Sequence, residues 1–119
     1  MRRKPGTLLP IEVSILRAGL DLREGGEGEF HGYLIASRIR EHEEARLLTA
    51  HGTLYKALDR MQKAGLLVSR WEDPMAAAAE ERPRRRLYHV SAVGERALHI
   101  AEADAARDAA TLKRGLQPS

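Results

Sequence analysis

Basic side chains are concentrated in two short stretches of this sequence, and they are the residues best suited to bind a charged partner. Residues 51–70 contain four Lys or Arg residues against one Asp, and residues 82–86 read Arg-Pro-Arg-Arg-Arg. Closely spaced Lys and Arg side chains bind phosphate groups, because they supply positive charge and several N–H donors. The two stretches therefore indicate a polyanionic partner, although a solvated charged surface has the same composition.

Catalytic and metal-binding signatures do not occur in the sequence. It has no cysteine, which excludes thiolate metal sites and thiol nucleophiles. The segment 42–46 begins like the H-E-x-x-H metalloprotease motif, but Arg46 replaces the second histidine. The histidines, at positions 31, 42, 51, 89 and 99, form no i, i+4 pair. We therefore expect a protein that is not an enzyme and that binds neither a metal nor a cofactor.

Length and composition indicate one ordinary domain. The chain has 119 residues, of which 43% are hydrophobic and 31% charged, and its formal net charge is +3. This balance is typical of a folded domain rather than a disordered one. No apolar run approaches the roughly 20 residues that span a bilayer, and no apolar stretch follows the basic residues 2–4 as a signal peptide requires. We expect a cytoplasmic location and no membrane partner.

Apolar periodicity predicts four helices, at residues 8–23, 32–44, 50–64 and about 92–113. Thr49 is the expected N-cap of the third helix, Gly65 its C′ residue, and Ser91 the cap of the fourth. The first helix has two neighbouring apolar stripes, and one core can use only one of them. We therefore expect one stripe in the core and the other against a partner subunit.

Two β-rich stretches, residues 66–72 and 85–90, predict a hairpin. Its connecting segment is interpreted as a mobile loop, with a brief helical turn at Ala76–Ala79 as the alternative. Trp71 and Tyr88 are expected to pack in the core or under this hairpin. Three helices followed by a β-hairpin form a winged helix-turn-helix. The predicted fold is mainly α, with a winged helix-turn-helix DNA-binding domain at residues 1–91. Residues 92–119 are expected to form a C-terminal dimerisation helix and tail.

The third predicted helix has a polar face opposite its apolar stripe, and this face would suit DNA. Gly52, near its N-terminus, would let a phosphate approach the free N–H groups. The arginines at 82–86 fall where the wing lies beside a DNA groove, and Arg binds phosphates and narrow minor grooves. An ordinary solvated helix face and a basic strand end that prevents edge aggregation are the alternatives.

The sequence resembles the PadR family of bacterial transcriptional regulators over about residues 8–112. The matching pieces are His31-Gly32-Tyr33, the stretches 52–58 and 64–67, the stretch 82–88, and Ser91-Ala92-Val93-Gly94. The resemblance implies a homodimeric winged helix that binds operator DNA, usually as a repressor, and responds to a small effector. The single C-terminal helix is similar to the short-form branch, in which that helix pairs with the partner's first helix.

The resemblance also implies roles for individual residues, and the sequence departs from the family in two places. Tyr33, Thr53, Tyr55, Lys56 and Arg60 would lie at the DNA face, and Arg84 and Arg85 in the wing. The wing is longer than in many relatives and contains the stretch 76–81. No aromatic residue occurs at 92–119, so a flat drug stacked on the last helix, as in multidrug-binding relatives, is not expected here.

These observations lead to one hypothesis, a homodimeric repressor that binds a palindromic operator and is released by an unidentified small-molecule effector. The alternative is a winged-helix adaptor that binds an acidic protein. The residues expected to bind DNA are Tyr33, Thr49, His51, Gly52, Thr53, Tyr55, Lys56, Arg60, Lys63, Arg82, Arg84 and Arg85. The residues expected in the dimer interface are Leu9, Ile15, Leu98, Ala101, Ala105 and Leu112.

Overall fold

The computed structural model describes residues 7–41 and 51–115, and it confirms the mainly α winged helix-turn-helix. The elements, in chain order, are α1 Pro10–Glu24, α2 Gly32–Glu41, α3 His51–Lys63, β1 Leu67–Trp71, α4 Pro74–Ala79, β2 Arg86–Val90 and α5 Ala92–Gly115. Thr49 and residues 42–44 of the predicted second helix lie outside the described residues. Within the described ranges, no helix has the length and apolar character needed to cross a membrane.

One prediction about the hairpin is wrong, because the segment between the strands contains the short helix α4. The Asp73 carboxylate accepts a hydrogen bond from the Met75 N–H at 2.8 Å and caps the helix, and Pro74 starts it. Four alanines follow, and Ala77 is buried. A good cap and strong helix formers therefore make this part of the wing a helix rather than a mobile loop.

Both apolar stripes of α1 are used by the core of a single protomer, which corrects the assignment of Ile15 to a subunit interface. Ile15 and Leu16 are both fully buried. Gly19 on α1 explains how the sheet comes so close, because a Cβ there would lie 2.8 Å from Val90 Cγ2 and 2.9 Å from Phe30 Cε1. The helix is therefore packed on more than one side, whereas Leu9 just before it is exposed.

The sheet is an antiparallel hairpin with a one-residue extension. Strands β1 and β2 pair from Leu67 with Val90 to Trp71 with Arg86. Phe30 forms a bridge to Tyr88, with N–H to carbonyl distances of 2.9 and 2.8 Å, and the two rings stack at 6.1 Å. Residues alternate between the two faces of a strand, so Leu67, Trp71, Arg86 and Tyr88 share the face that begins in the core.

Helix α5 starts on the core and then leaves it. Ser91 caps it as predicted, since its Oγ accepts a hydrogen bond from the Gly94 N–H at 3.0 Å. A Cβ at Gly94 would lie 2.2 Å from the Leu66 carbonyl oxygen, so only glycine permits this close approach. Leu98 is fully buried within the protomer, which corrects its assignment to the dimer interface. From residue 102 to residue 113 every position is exposed.

Candidate nucleic-acid interface

Helix α3 is oriented by its apolar stripe. Leu54, Leu58 and Met61 are buried in the core, and they fix which side of the helix faces outward. The exposed side carries Tyr55 and Lys56, as the sequence analysis expected, while Thr53 is half-buried. Because the apolar stripe of α3 is buried, the polar side of the helix faces outward even when no ligand is bound.

Two of the three cations of α3 have carboxylate partners. Arg60 Nε lies 2.8 Å from Glu12 Oε2, and the Glu12 side chain is only 2% exposed. The other Glu12 oxygen accepts a hydrogen bond from the Leu9 N–H at 2.7 Å. Lys63 Nζ lies 2.9 Å from Asp59 Oδ2, one turn back on the same helix. Within residues 7–41 and 51–115, Lys56 is the α3 cation for which no ion pair is seen.

The contact with Glu12 gives Arg60, a predicted DNA-binding residue, a structural role within the protomer. Glu12 lies in the first turn of α1, so the pair fastens α3 to that helix. A buried carboxylate needs such a partner, because an unpaired buried charge is costly. Arg60 therefore orients α3, and its Nε donor is already used within the protomer.

The start of α2 lies against α3. A Cβ at Gly32 would be 2.7 Å from Tyr55 Cε1, so the glycine lets the Tyr55 ring rest on the first turn of α2. The next residue, Tyr33, is 68% exposed, and its ring stacks on His31 at 6.4 Å. The structure therefore brings Tyr55 of α3 and Tyr33 of the His-Gly-Tyr piece into one neighbourhood.

His31 is a residue of this surface that the sequence analysis did not select. Its Nδ1 accepts a hydrogen bond from the Leu34 N–H at 3.2 Å, and its Nε2 lies 3.2 Å from Arg85 Nη1. Burial lowers the pKa of His31, and the charges of Arg85 and Arg82 lower it further. In the neutral ring with Nδ1 accepting, Nε2 carries the proton. Two donors then lie next to each other, and an anion oxygen beside the pair, at hydrogen-bond distance from both nitrogens, would accept from both.

Arg82 is bound inside the wing. Its guanidinium donates to both Glu72 oxygens, at 2.5 and 2.7 Å, and to Glu80 Oε2 at 2.7 Å. Its side chain is only 19% exposed. These hydrogen bonds lower the pKa of Glu72 to about 2 and raise the pKa of Arg82. Arg82 therefore organises the wing through two carboxylates, and its contact with DNA stays a prediction.

Arg84 and Arg86 are held on an aromatic ring. Each Cζ lies 5.5 Å from the Trp71 ring centroid. Trp71 is 53% exposed, so the expectation that it packs inside is wrong, whereas Tyr88 is buried as expected.

Arg86 was absent from the predicted DNA-binding set. The pairing of the two strands could have identified it, because Arg86 lies directly opposite Trp71.

Comparison with protein families identifies the chain from its sequence. The model described as the transcriptional regulator PadR-like family matches residues 22–100. The chain belongs to the PadR-like family. This membership confirms the prediction of a transcription regulator rather than an enzyme. No curated protein matches the sequence.

Solved structures with the same fold include PadR-like regulators from several bacteria. A PadR family regulator from Clostridium difficile R20291 has 23% identity and a TM-score of 0.69, with 90% of this chain and 98% of that chain covered. A PadR-like regulator from Bacillus cereus has 22% identity and a TM-score of 0.63, with 92% and 93% covered. Bacillus subtilis PadR in complex with operator DNA has 23% identity and a TM-score of 0.56, with 78% and 46% covered.

In this PadR-like regulator, some of the residues predicted for the dimer interface lie in the core and others lie at the surface. Ile15 and Leu98 are in the core, whereas Leu9, Ala105 and Leu112 are exposed and Ala101 is half-buried. A groove of about 610 Å³ runs between residues 7–13 and α5, and Ala101 and Ala105 help to line it.

Among the described residues, no group of three or more His, Asp or Glu side chains is arranged to bind a metal.

Proposed function

We propose that this PadR-like regulator binds double-stranded DNA through the exposed side of α3 and one face of its wing. The observation that carries the proposal is the placement of Lys56, Arg84 and Arg86, three cations without carboxylate partners among the described residues. Such cations gain most from phosphate, since no existing ion pair must be broken. The operator DNA in the Bacillus subtilis PadR structure supports the same interpretation.

We assign affinity and specificity to different residues within this surface. Lys56 and the wing arginines 84–86 would contact phosphates, and the His31–Arg85 pair of donors would share one phosphate oxygen. Tyr33, Tyr55 and Thr53 would supply ring and hydroxyl contacts on the same side. Thr49, His51 and Gly52 remain predicted contacts, because they surround the N-terminus of α3, where free N–H groups favour a phosphate.

The test of DNA binding uses Lys56→Ala with Lys113→Ala as the matched control. Lys113 is exposed on α5, far along the chain from the proposed surface. If Lys56 contacts phosphate, its loss should weaken binding to every duplex and reduce the slope of log affinity against log salt by about one. The Lys113 variant should bind like the wild type. Equal binding by both variants and the wild type would remove α3 from the interface.

We further propose that the regulator is a homodimeric repressor on a palindromic operator, released by a small effector. Residues 92–119 would be its dimerisation helix and tail, with Ala105 in the groove beside α5 and the exposed Leu9 and Leu112 also in the interface. Two α3 helices would then meet successive major grooves about 34 Å apart. Leu112→Asp should yield monomers that stay folded, which sedimentation equilibrium and circular dichroism can measure. A monomeric wild type would exclude the dimer.

The operator itself is best found by selecting genomic fragments on the purified protein and sequencing them. A two-fold symmetric consensus is expected if the protein binds as a dimer. Reporter expression in the presence and absence of the protein then distinguishes repression from activation. Retention of no fragment above a random background at either of two salt concentrations would instead favour an acidic protein as the partner.

A further inference from the structure

Trp71 is the only tryptophan in the sequence, and it lies at the end of β1 with about half of its side chain exposed. An indole ring on a surface leaves a large apolar area in contact with water. Its immediate neighbours are two cations, because the Cζ atoms of Arg84 and Arg86 each lie 5.5 Å from the ring centroid. Both guanidinium groups therefore contact the same indole ring.

The other contacts of these two arginines are uncharged. Arg84 Nε donates to the Glu72 carbonyl oxygen at 3.1 Å, and Arg86 donates to Ser69 Oγ at 2.9 and 3.2 Å. The Glu72 carboxylate, which would be the nearest competitor, is taken by Arg82. Within the described part of the chain, both arginines are therefore held in place while their positive charges stay uncompensated.

The ring and its arginines lie on the sheet face that continues from α3. Trp71 pairs with Arg86, and Tyr88 follows on the same face two residues later. Leu67 and Tyr88 of this face belong to the same buried core as Leu54 and Leu58 of α3. The face therefore runs outward from the core that α3 covers to Trp71 and Arg86.

We propose that Trp71 is a positioning residue for DNA binding, whose ring holds Arg84 and Arg86 ready for the DNA backbone. A stacked guanidinium keeps its N–H donors free at the edge of its plane, so it can stay on the ring while it binds phosphate. Long side chains that are already ordered lose less entropy when DNA binds. The inference rests on the proposed function, because it assumes that α3 and the wing contact DNA.

The affinity test uses a mixed-sequence DNA duplex and three substitutions. Trp71→Leu, which removes the ring, should weaken binding about 5- to 150-fold, given the usual cost of ordering two long side chains on binding. Trp71→Phe keeps a weaker ring and should fall between the wild type and the leucine variant. Val68→Ala is the matched control, because Val68 is exposed on the opposite face of the same strand.

Two further readouts separate a positioning role from a direct contact or a folding defect. The salt slope should stay unchanged in Trp71→Leu, because the arginines still reach the phosphates, whereas Arg84→Ala should lower it by about one. In a chain that already lacks both arginines, Trp71→Leu should have no further effect on affinity. An additional loss there would mean that the ring itself contacts DNA, and the proposal would be overturned.

Fluorescence tests the stacking without DNA and without changing Trp71. Because the chain has a single tryptophan, its emission reports only on the wing. Replacing Arg84 and Arg86 with Ala should shift the emission of the free protein, and an unchanged spectrum would overturn the proposal. If the wild type binds no DNA, the proposed function fails and this inference fails with it. If binding depends on Lys56 but Trp71→Leu binds like the wild type, only this inference fails.

Discussion

Helix α3 and the wing carry the cations of the same candidate surface, but they are held by different interactions. On α3, Leu54, Leu58 and Met61 are buried in the core and fix the helix before any charge is considered. In the wing, Ala77 is the one buried residue between positions 68 and 87. The wing is instead organised by the carboxylates around Arg82 and by the ring of Trp71.

This difference predicts how each region responds to its surroundings. Apolar burial depends little on salt or pH, whereas ion pairs at a surface are screened by salt and lost when a carboxylate is protonated. The position of α3 should therefore be constant under conditions in which the wing changes. A regulator with this division can alter its wing contacts without unfolding α3.

The largest effect should come from the apolar stripe of α3. Leu58→Ala leaves a cavity in the core and should lower the free energy of unfolding by about 2–5 kcal/mol. Met75→Ala in the wing is the control, and it should change that free energy by less than about 0.5 kcal/mol because Met75 is exposed. Urea titration measures both. Similar losses in the two variants would contradict the contrast between α3 and the wing.

A smaller loss is expected from Arg60→Ala, which leaves the buried Glu12 carboxylate without its α3 partner. The expected decrease in the free energy of unfolding is about 1–3 kcal/mol, since Arg60 itself is partly exposed. Adding Glu12→Gln to this variant should recover part of the loss, because it removes the buried charge. Stability equal to that of the wild type in Arg60→Ala would mean that the pair does not orient α3.

The wing should respond to acid through Glu72. Its folded pKa of about 2 is below the ordinary value of 4.5, so its pairing stabilises the fold above pH 4.5 and this contribution is lost as the pH falls to about 2. Trp71 is the adjacent residue, and its emission should change with a midpoint near the lower value. Glu72→Gln should lack this transition. A midpoint near 4.5 in the wild type would show that the Arg82 pair does not form in solution.

The smallest effect is expected for Lys63→Ala. Its pair with Asp59 is exposed on both sides and lies on one helix, so the loss of unfolding free energy should stay below about 0.5 kcal/mol. Urea titration beside Arg60→Ala makes the comparison direct. If Lys63→Ala costs as much as Arg60→Ala, burial of the partner carboxylate is not what distinguishes the two pairs.

Local chemistry was enough to predict α1, α2, α3, α5, the hairpin and the Ser91 cap, whereas α4 was predicted as a loop. Ser91 caps α5 because its hydroxyl reaches an N–H three residues ahead, a contact that needs no knowledge of the fold. The apolar stripe of α3 predicted its exposed side for the same reason, since helical spacing alone decides which residues share a face. The basic pieces and their order along the chain were also sufficient to suggest the PadR family.

Periodicity and motif spacing thus account for the order of elements, the family and the location of the two basic stretches. Tertiary contacts decide instead which cations have a carboxylate partner. Arg60 and Lys56 lie on the same helix, but Glu12, which binds Arg60, is 48 residues away from it in the chain. Ile15 and Trp71 were misjudged for a related reason, because their burial depends on where neighbouring elements end. Contacts between distant residues are set by packing, and neither helical nor strand periodicity contains that information.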